Sequence, residues 1–306
     1  MENILLILFC LLIGLGLKKV AVIPKNAHVS LNQFVIYVSL PALALFYIPK
    51  IILSLSLLFP LGIAWIGFGL SFLFFSFLGK KWGWSKKLTG CLILTAGLGN
   101  TSFVGFPIIE ALYGKDGLQT AIIVDQPGSF VVMATLGVWV ATVFSSGSIK
   151  PSQIFRKIAV FPPFIAFVIA VLMSMLNFDF PESLQSVFSK LGQTVTPIAL
   201  VSVGLQLSID SKSKHFRFLA LGLFFKLMLM PLFFLIFYHF VLGGNGLIVE
   251  VSIMESAMAP MITGAILASS FGLKPRLSSM MVGIGIPLSL ITIGLWYLIL
   301  QGLQIS

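Results

Sequence analysis

Long stretches without a single Asp, Glu, Lys or Arg decide what this chain can fold into. Such intervals include 29–49, 51–79, 88–109, 158–178, 191–209, 227–249 and 277–306. Each approaches or exceeds the roughly 20 residues that an α-helix needs to cross a bilayer. Only 9% of the residues are charged and 58% are hydrophobic, where a soluble domain carries roughly 25% charge. The expectation is an all-α polytopic membrane protein.

Dividing the chain at its polar breaks predicts ten spans, near 4–22, 31–48, 55–78, 88–113, 118–144, 158–176, 187–208, 217–241, 247–269 and 277–300. The first reads as a retained helix rather than a signal peptide: Glu2 stands in place of a basic n-region, and Lys18 and Lys19 follow the apolar run. Basic residues support the count. Lys18, Lys19 and Lys25 follow span 1; Lys80, Lys81, Lys86 and Lys87 follow span 3; Lys150, Arg156 and Lys157 follow span 5. Lys212, Lys214 and Arg217 follow span 7, and Lys274 and Arg276 follow span 9. Only Lys50, Lys115 and Lys190 fall on the opposite side. The positive-inside rule therefore places the basic loops in the cytoplasm and both termini outside, with the chain multi-pass in the cell membrane. The net charge of +10 follows from that topology and calls for no nucleic acid. Cys10 and Cys91 have no paired spacing and read as small buried hydrophobes, and His28, His215 and His239 are scattered.

Five spans on either side of a boundary near residue 150 point to two repeats, 1–149 and 150–306. An odd number turns the second repeat upside down, the inverted arrangement of many secondary transporters. Pro41 and Pro197 differ by 156 positions, and the same offset carries Gly99 onto Glu255.

Asp125, Lys226 and Glu255 put full charges deep inside these spans. Charge in hydrocarbon is costly unless it meets a partner, a cavity or an ion, so each marks a candidate site. Span 4 contains Gly97, Gly99, Asn100, Thr101, Gly105 and Pro107, which disfavour one regular helix; span 9 contains Glu255, Ser256 and Pro260. Broken backbone at that depth must be buried in protein or line a cavity. One break per half is the sequence sign of a central transport site, whereas two ordinary proline kinks with Asn100 as interhelical glue would be the structural alternative. Asn100, Thr101, Glu255 and Ser256 are the candidate substrate contacts. Glu255 can bind a cation when ionised or carry a proton when neutral; a structural salt bridge is its other reading. Asp125 opens a polar run with Gln126, Pro127 and Ser129 suited to a pathway wall. Lys226 sits deep enough to pair with Asp125 or Glu255, to attract a substrate carboxylate, or to snorkel.

The run from Gly99 to Gly114, with its Asn-Thr, Gly-Phe-Pro and Ala-Leu-Tyr-Gly, resembles the fourth-helix crossover of the auxin efflux carrier family. Ala257 through Met261, Lys274-Pro275 and Gly285 to Ser289 resemble its last two helices. Taken with the span count, the resemblance covers essentially the whole chain. It implies the fold of bile acid sodium symporters, in which two inverted five-helix repeats carry crossed, discontinuous helices 4 and 9. Spans 1, 2, 6 and 7 would form a scaffold, with dimerisation through it, and spans 3–5 and 8–10 a moving transport domain. The implied activity is elevator-like transport of a small organic anion; bacterial-type members carry malonate, malate and related carboxylates. Gly99 and Glu255 stand where the plant carriers have crossover prolines, and the loop at 145–157 is short. By the same resemblance sodium is a candidate coupling ion, with Asn100, Thr101 and Glu255 as ligands joined by Ser129 and Ser256. A proton on Glu255 or Asp125 is the rival. A membrane-embedded receptor or sensor that binds without transport is the alternative function, disfavoured by the lack of a signalling domain. A channel lacks a filter motif, and an enzyme lacks a nucleophile or metal cluster.

Overall fold

The computed structural model describes residues 2–24, 26–50, 54–145, 160, 162–206 and 216–305. Lys25, Lys150, Arg156, Lys157, Lys212, Lys214 and His215, and with them part of the charge alternation and the boundary between the expected repeats, lie outside the described residues.

Helices make up the described chain: α1 (Glu2–Leu17), α2 (Ala27–Lys50), α3 (Leu55–Lys81), α4 (Lys86–Ala96), α5 (Thr101–Ser145) and α6 (Pro162–Met175). They continue as α7 (Glu182–Gly192), α8 (Val195–Gln206), α9 (Phe216–Val241), α10 (Leu247–Ser256), α11 (Ile262–Ser270) and α12 (Pro275–Gly302). Among the described residues there is no β-strand, only one isolated backbone bridge. Five runs, α2, α3, α5, α9 and α12, are each long and apolar enough to cross a membrane, so the chain is a polytopic membrane protein. The predicted spans 3, 8 and 10 fall on α3, α9 and α12. Spans 4 and 9 each appear as two helices around a break. Span 7, predicted as one segment over 187–208, is instead α7 and α8, parted at Gln193-Thr194. The predicted boundary between spans 4 and 5 falls at Gly114, where φ +67° and ψ −160° break the helical run of α5 into two helices, a conformation open to glycine at no steric cost.

Proline shapes the long helices. Wide, π-helical turns at Val35–Ser39, Thr101–Gly105 and Phe225–Leu229 each end two residues before a proline, at Pro41, Pro107 and Pro231. A proline lacks the N–H that would reach the carbonyl four residues back, and its ring presses on that carbonyl. Widening the turn relieves the clash, and π-turns of this kind recur at functional sites. Each leaves a carbonyl in need of a donor. For Pro231 that carbonyl is Leu227, and the indole N–H of Trp296 in α12 donates to it at 2.8 Å.

Helix contacts fall into two groups. In one, α1 packs along α8, and α2 packs on α6, α7 and α8. The α1–α8 approach is close because both helices present glycine: a Cβ on Gly204 would lie 2.8 Å from the Gly14 Cα. In the other group, α3 packs on α4, α5 and α10, while α11 and α12 pack on each other and on α4. At one end of the molecule Trp84 meets Phe218, with ring centroids 5.3 Å apart, and Cys91 in α4 approaches the Lys274 carbonyl. Lys80, Lys81, Arg217 and Lys274 are close in sequence to these contacts.

Candidate functional site

Both broken helices stop in the interior and their unwound segments meet. After α4 ends at Ala96 and α10 at Ser256, the Asn100 amide donates to the Ala259 carbonyl at 2.7 Å, and the Met261 amide donates to the Leu98 carbonyl at 3.1 Å. These two bonds frame an antiparallel bridge between Gly99 and Pro260. The residues of both segments, 97–100 and 257–261, are all buried. Broken backbone at this depth thus has partners, the condition set by a medium without water. Pro260 needs no donor of its own at the bridge, and Gly285 gives its ring room, since a Cβ there would lie 2.7 Å from the Pro260 Cδ.

This register corrects the sequence reading in two places. Gly99 lies opposite Pro260 rather than at the level of Glu255, because Glu255 still belongs to the regular α10. The crossing therefore carries a proline in its second segment. Pro107 lies beyond the break, at the start of the regular helix that follows the π-turn of α5.

Past the crossing, α5 starts at Thr101 and α11 at Ile262. The Asn100 side-chain oxygen caps α5 by accepting from the Phe103 amide at 3.2 Å. First-turn N–H groups have no carbonyl within their own helix, and a helix N-terminus carries about half a positive charge. Both starts line one cavity of about 420 Å³, with Asn100, Thr101, Ser102 and Phe103 on one side and Met261, Ile262 and Thr263 on the other. Asp125, Gln126, Phe130 and Met133 from the middle of α5 form a third wall, and Ile36 and Leu40 of α2 close it from the other helix group. Asp125 accepts from the Thr101 hydroxyl at 2.6 Å and from the Gln126 amide at 2.7 Å. Those bonds leave the Gln126 Oε1 without a partner, as are Asn100 Nδ2 and Thr263 Oγ1. Residues around the cavity thus hold unpartnered buried donors and one unpartnered carbonyl beside two helix N-termini in a mostly apolar wall, a donor-rich setting for an anion with an apolar body.

Outside the cavity lining, near the end of α10, lie Lys226 and Glu255. Lys226 rides on the π-turn before Pro231, and its ammonium donates to the Ser256 carbonyl at 2.6 Å. Neither carboxylate oxygen of Glu255 has a hydrogen-bond partner, so the pairing expected for Lys226 is not a direct ion-pair hydrogen bond. Glu255 remains within electrostatic reach of both Asp125 and Lys226. The Ser256 hydroxyl donates back to the Ile253 carbonyl at 2.6 Å, and Ser129 is buried away from the cavity wall. Neither Glu255 nor Ser256 lines the cavity.

A sodium ion needs several converging oxygens. Here the Thr101 hydroxyl is engaged by Asp125, the Ser256 hydroxyl by Ile253, the Asn100 oxygen by Phe103, and the Ser256 carbonyl by an ammonium. A donating hydroxyl keeps its oxygen lone pairs, and both Glu255 carboxylate oxygens are without a partner. Among the described residues, no group of three His, Cys, Asp or Glu side chains could hold a metal ion.

Several site residues escaped the sequence reading. Ser102 and Thr263 line the cavity, and each hydroxyl follows a helix break, a signal that was present. Ile36 and Leu40 carry no chemical mark at all. Glu250, fully buried in the first turn of α10, accepts from the Tyr113 hydroxyl at 2.8 Å and the Gln301 amide at 2.7 Å; its position near a span edge hid it among interfacial charges.

Comparison with known proteins bears on the whole chain. Residues 1–297 match the family described as membrane transport protein. An uncharacterized transporter of Methanocaldococcus jannaschii is 28% identical over 305 residues, covering 97% of each chain. One of Methanothermobacter thermautotrophicus is 27% identical, covering 98% of each. The Escherichia coli uncharacterized transporter YfdV is 24% identical over 208 residues, 66% of this chain and 65% of its own.

Proposed function

The chain belongs to the membrane transport protein family, and from that premise we propose that it is a secondary active transporter moving a small mono- or dicarboxylate by an elevator-like alternating-access mechanism. Transport, rather than catalysis, is its activity. The observation that carries the anion is the cavity where the α5 and α11 N-termini converge, with Asn100 Nδ2 and Thr263 Oγ1 unspent. A carboxylate there would take N–H groups from both helix starts and the Asn100 amide, while its body rests on Met133, Ile266 and Leu267. A second carboxylate would find Gln126 unhelpful and Asp125 repulsive, so the monocarboxylate is the better fit of the two.

The mechanism follows from how the walls are divided. Most of the cavity belongs to α5 and α11, and only Ile36 and Leu40 come from the α1, α2, α6–α8 group. That grouping supports a scaffold of spans 1, 2, 6 and 7 against a transport body of spans 3–5 and 8–10, within ten crossings arranged as two inverted repeats like those of auxin efflux carriers and bile acid symporters. Sliding the body past α2 would open the cavity to one side and then the other. The basic residues of alternate loops support the cell-membrane orientation with both termini outside. Proton coupling through Glu255 or Asp125, and dimerisation through the scaffold, belong to the same reading.

Counterflow in proteoliposomes tests it. Labelled monocarboxylates should enter faster when unlabelled substrate is loaded inside, and Glu255→Gln should lose pH-driven accumulation while inserting normally. Binding without accelerated exchange would favour a receptor instead.

A further inference from the structure

We propose that the Lys226 ammonium is a built-in cation that occupies, at the crossing, the place a dissociable monovalent cation would otherwise take. Two helix C-termini approach each other there: α4 stops at Ala96 and α10 at Ser256. Each brings about half a negative charge and carbonyls with no intrahelical donor, together about what one ammonium cancels. Lys226 meets them directly. Its Nζ is 2.6 Å from the Ser256 carbonyl oxygen, and a Cβ on Gly99 would lie 3.4 Å from that same nitrogen and 3.1 Å from the Glu255 carbonyl oxygen. The ammonium is thus seated on the unwound backbone itself, with the Glu255 carboxylate in electrostatic reach.

Three features mark this as a seat rather than a passing contact. Lys226 is 2% exposed, so it does not snorkel to water. Its helix widens at Phe225–Leu229 ahead of Pro231, where the freed Leu227 carbonyl is capped by Trp296, so the turn that carries Lys226 is pinned. Gly99 has no side chain to stand between the ammonium and the crossing. An ammonium tethered by its own side chain cannot dissociate, and it keeps the C-terminal ends neutralised on both sides of the membrane. The place for sodium at the helix ends is then already filled, and its gradient does no work on the carrier. As a statement about coupling this rests on the transport reading; as a statement about cation occupancy it does not.

Occupancy is tested on the purified full-length chain in detergent by thermal denaturation, with sodium chloride exchanged for choline chloride at constant ionic strength. The native protein should keep one midpoint in both salts. Lys226→Ala should melt lower in choline and recover saturably as sodium or methylammonium chloride is added, because either ion enters the vacated seat. Lys226→Met, which keeps an apolar stem, should respond in the same way if the alanine variant does not fold. A saturable sodium-dependent rise in the native midpoint overturns the proposal, as does a variant indifferent to both cations. No substrate enters these measurements, so a chain that carried no carboxylate would still satisfy or fail them.

Discussion

Glu255 and Gly105 contend for one volume: a Cβ on Gly105 would stand 2.5 Å from one carboxylate oxygen of Glu255 and 2.7 Å from the other. The acidic side chain of α10 therefore lies flat on the bare backbone of the π-turn in α5, with no hydrogen-bond partner for either oxygen. The bare backbone of Gly105 leaves the room that the carboxylate fills; its φ of −64° is that of an ordinary helix.

Gly105→Ala should consequently destabilise the protein by about 1–3 kcal/mol, the usual cost of forcing an extra carbon into a packed interior. Adding Glu255→Ala removes the opposing oxygens and should restore much of the lost midpoint. Thermal denaturation of the single and double variants measures the coupling. Strictly additive losses would mean that the two residues do not share the space.

Asn100 does two separable jobs. Its oxygen caps α5 at Phe103, and its Nδ2, beside the cavity that Asn100 lines, has no hydrogen-bond partner. Asn100→Asp keeps the cap oxygen but replaces the donor with a negative charge, so the variant should fold near-normally and lose carboxylate affinity by at least about tenfold, the equivalent of 1.4 kcal/mol. Equilibrium binding isotherms read the second effect and melting curves the first. Equal isotherms would remove Asn100 from the substrate contacts.

Trp296→Phe should strand the Leu227 carbonyl and cost about 1–3 kcal/mol, the penalty for a buried polar group left alone. Pro231→Ala supplies the missing backbone N–H to that same carbonyl. The double variant should therefore be more stable than Trp296→Phe alone, and a double-mutant cycle on the melting midpoints checks it. Additive behaviour would show that the indole does not serve the proline's orphan.

Much of the architecture could be read ahead of the structure because hydrophobic length and backbone chemistry are local. The spans predicted at 55–78, 217–241 and 277–300 lie within helices of nearly the same bounds, and the breaks before Thr101 and around Pro260 were signalled by glycine and proline. Charge also pointed correctly to Asp125, Lys226 and Glu255 as buried. What escaped was relational. Which residue of one unwound segment faces which of the other depends on two hydrogen bonds between positions about 160 apart in the chain, and no local pattern encodes that register. Lys226 was expected beside a carboxylate because sequence displays side chains and conceals carbonyls; it meets the main chain of Ser256. Ile36 and Leu40 wall the cavity through tertiary packing alone. Span 7 was misjudged because α7 and α8 are contiguous in hydropathy while Gln193-Thr194 parts them.

The two unwound segments are joined to each other through main-chain hydrogen bonds, from Asn100 to Ala259 and from Met261 to Leu98. The shape of the crossing is accordingly indifferent to most of the side chains around it. Ser102, Gln126 and Thr263 can drift toward a new cargo without loosening the joint that holds them. A lineage built on such a joint can diversify its diet by point substitution while inheriting the machine intact, which leaves cargo written in a few cavity positions and the motion in the rest of the chain.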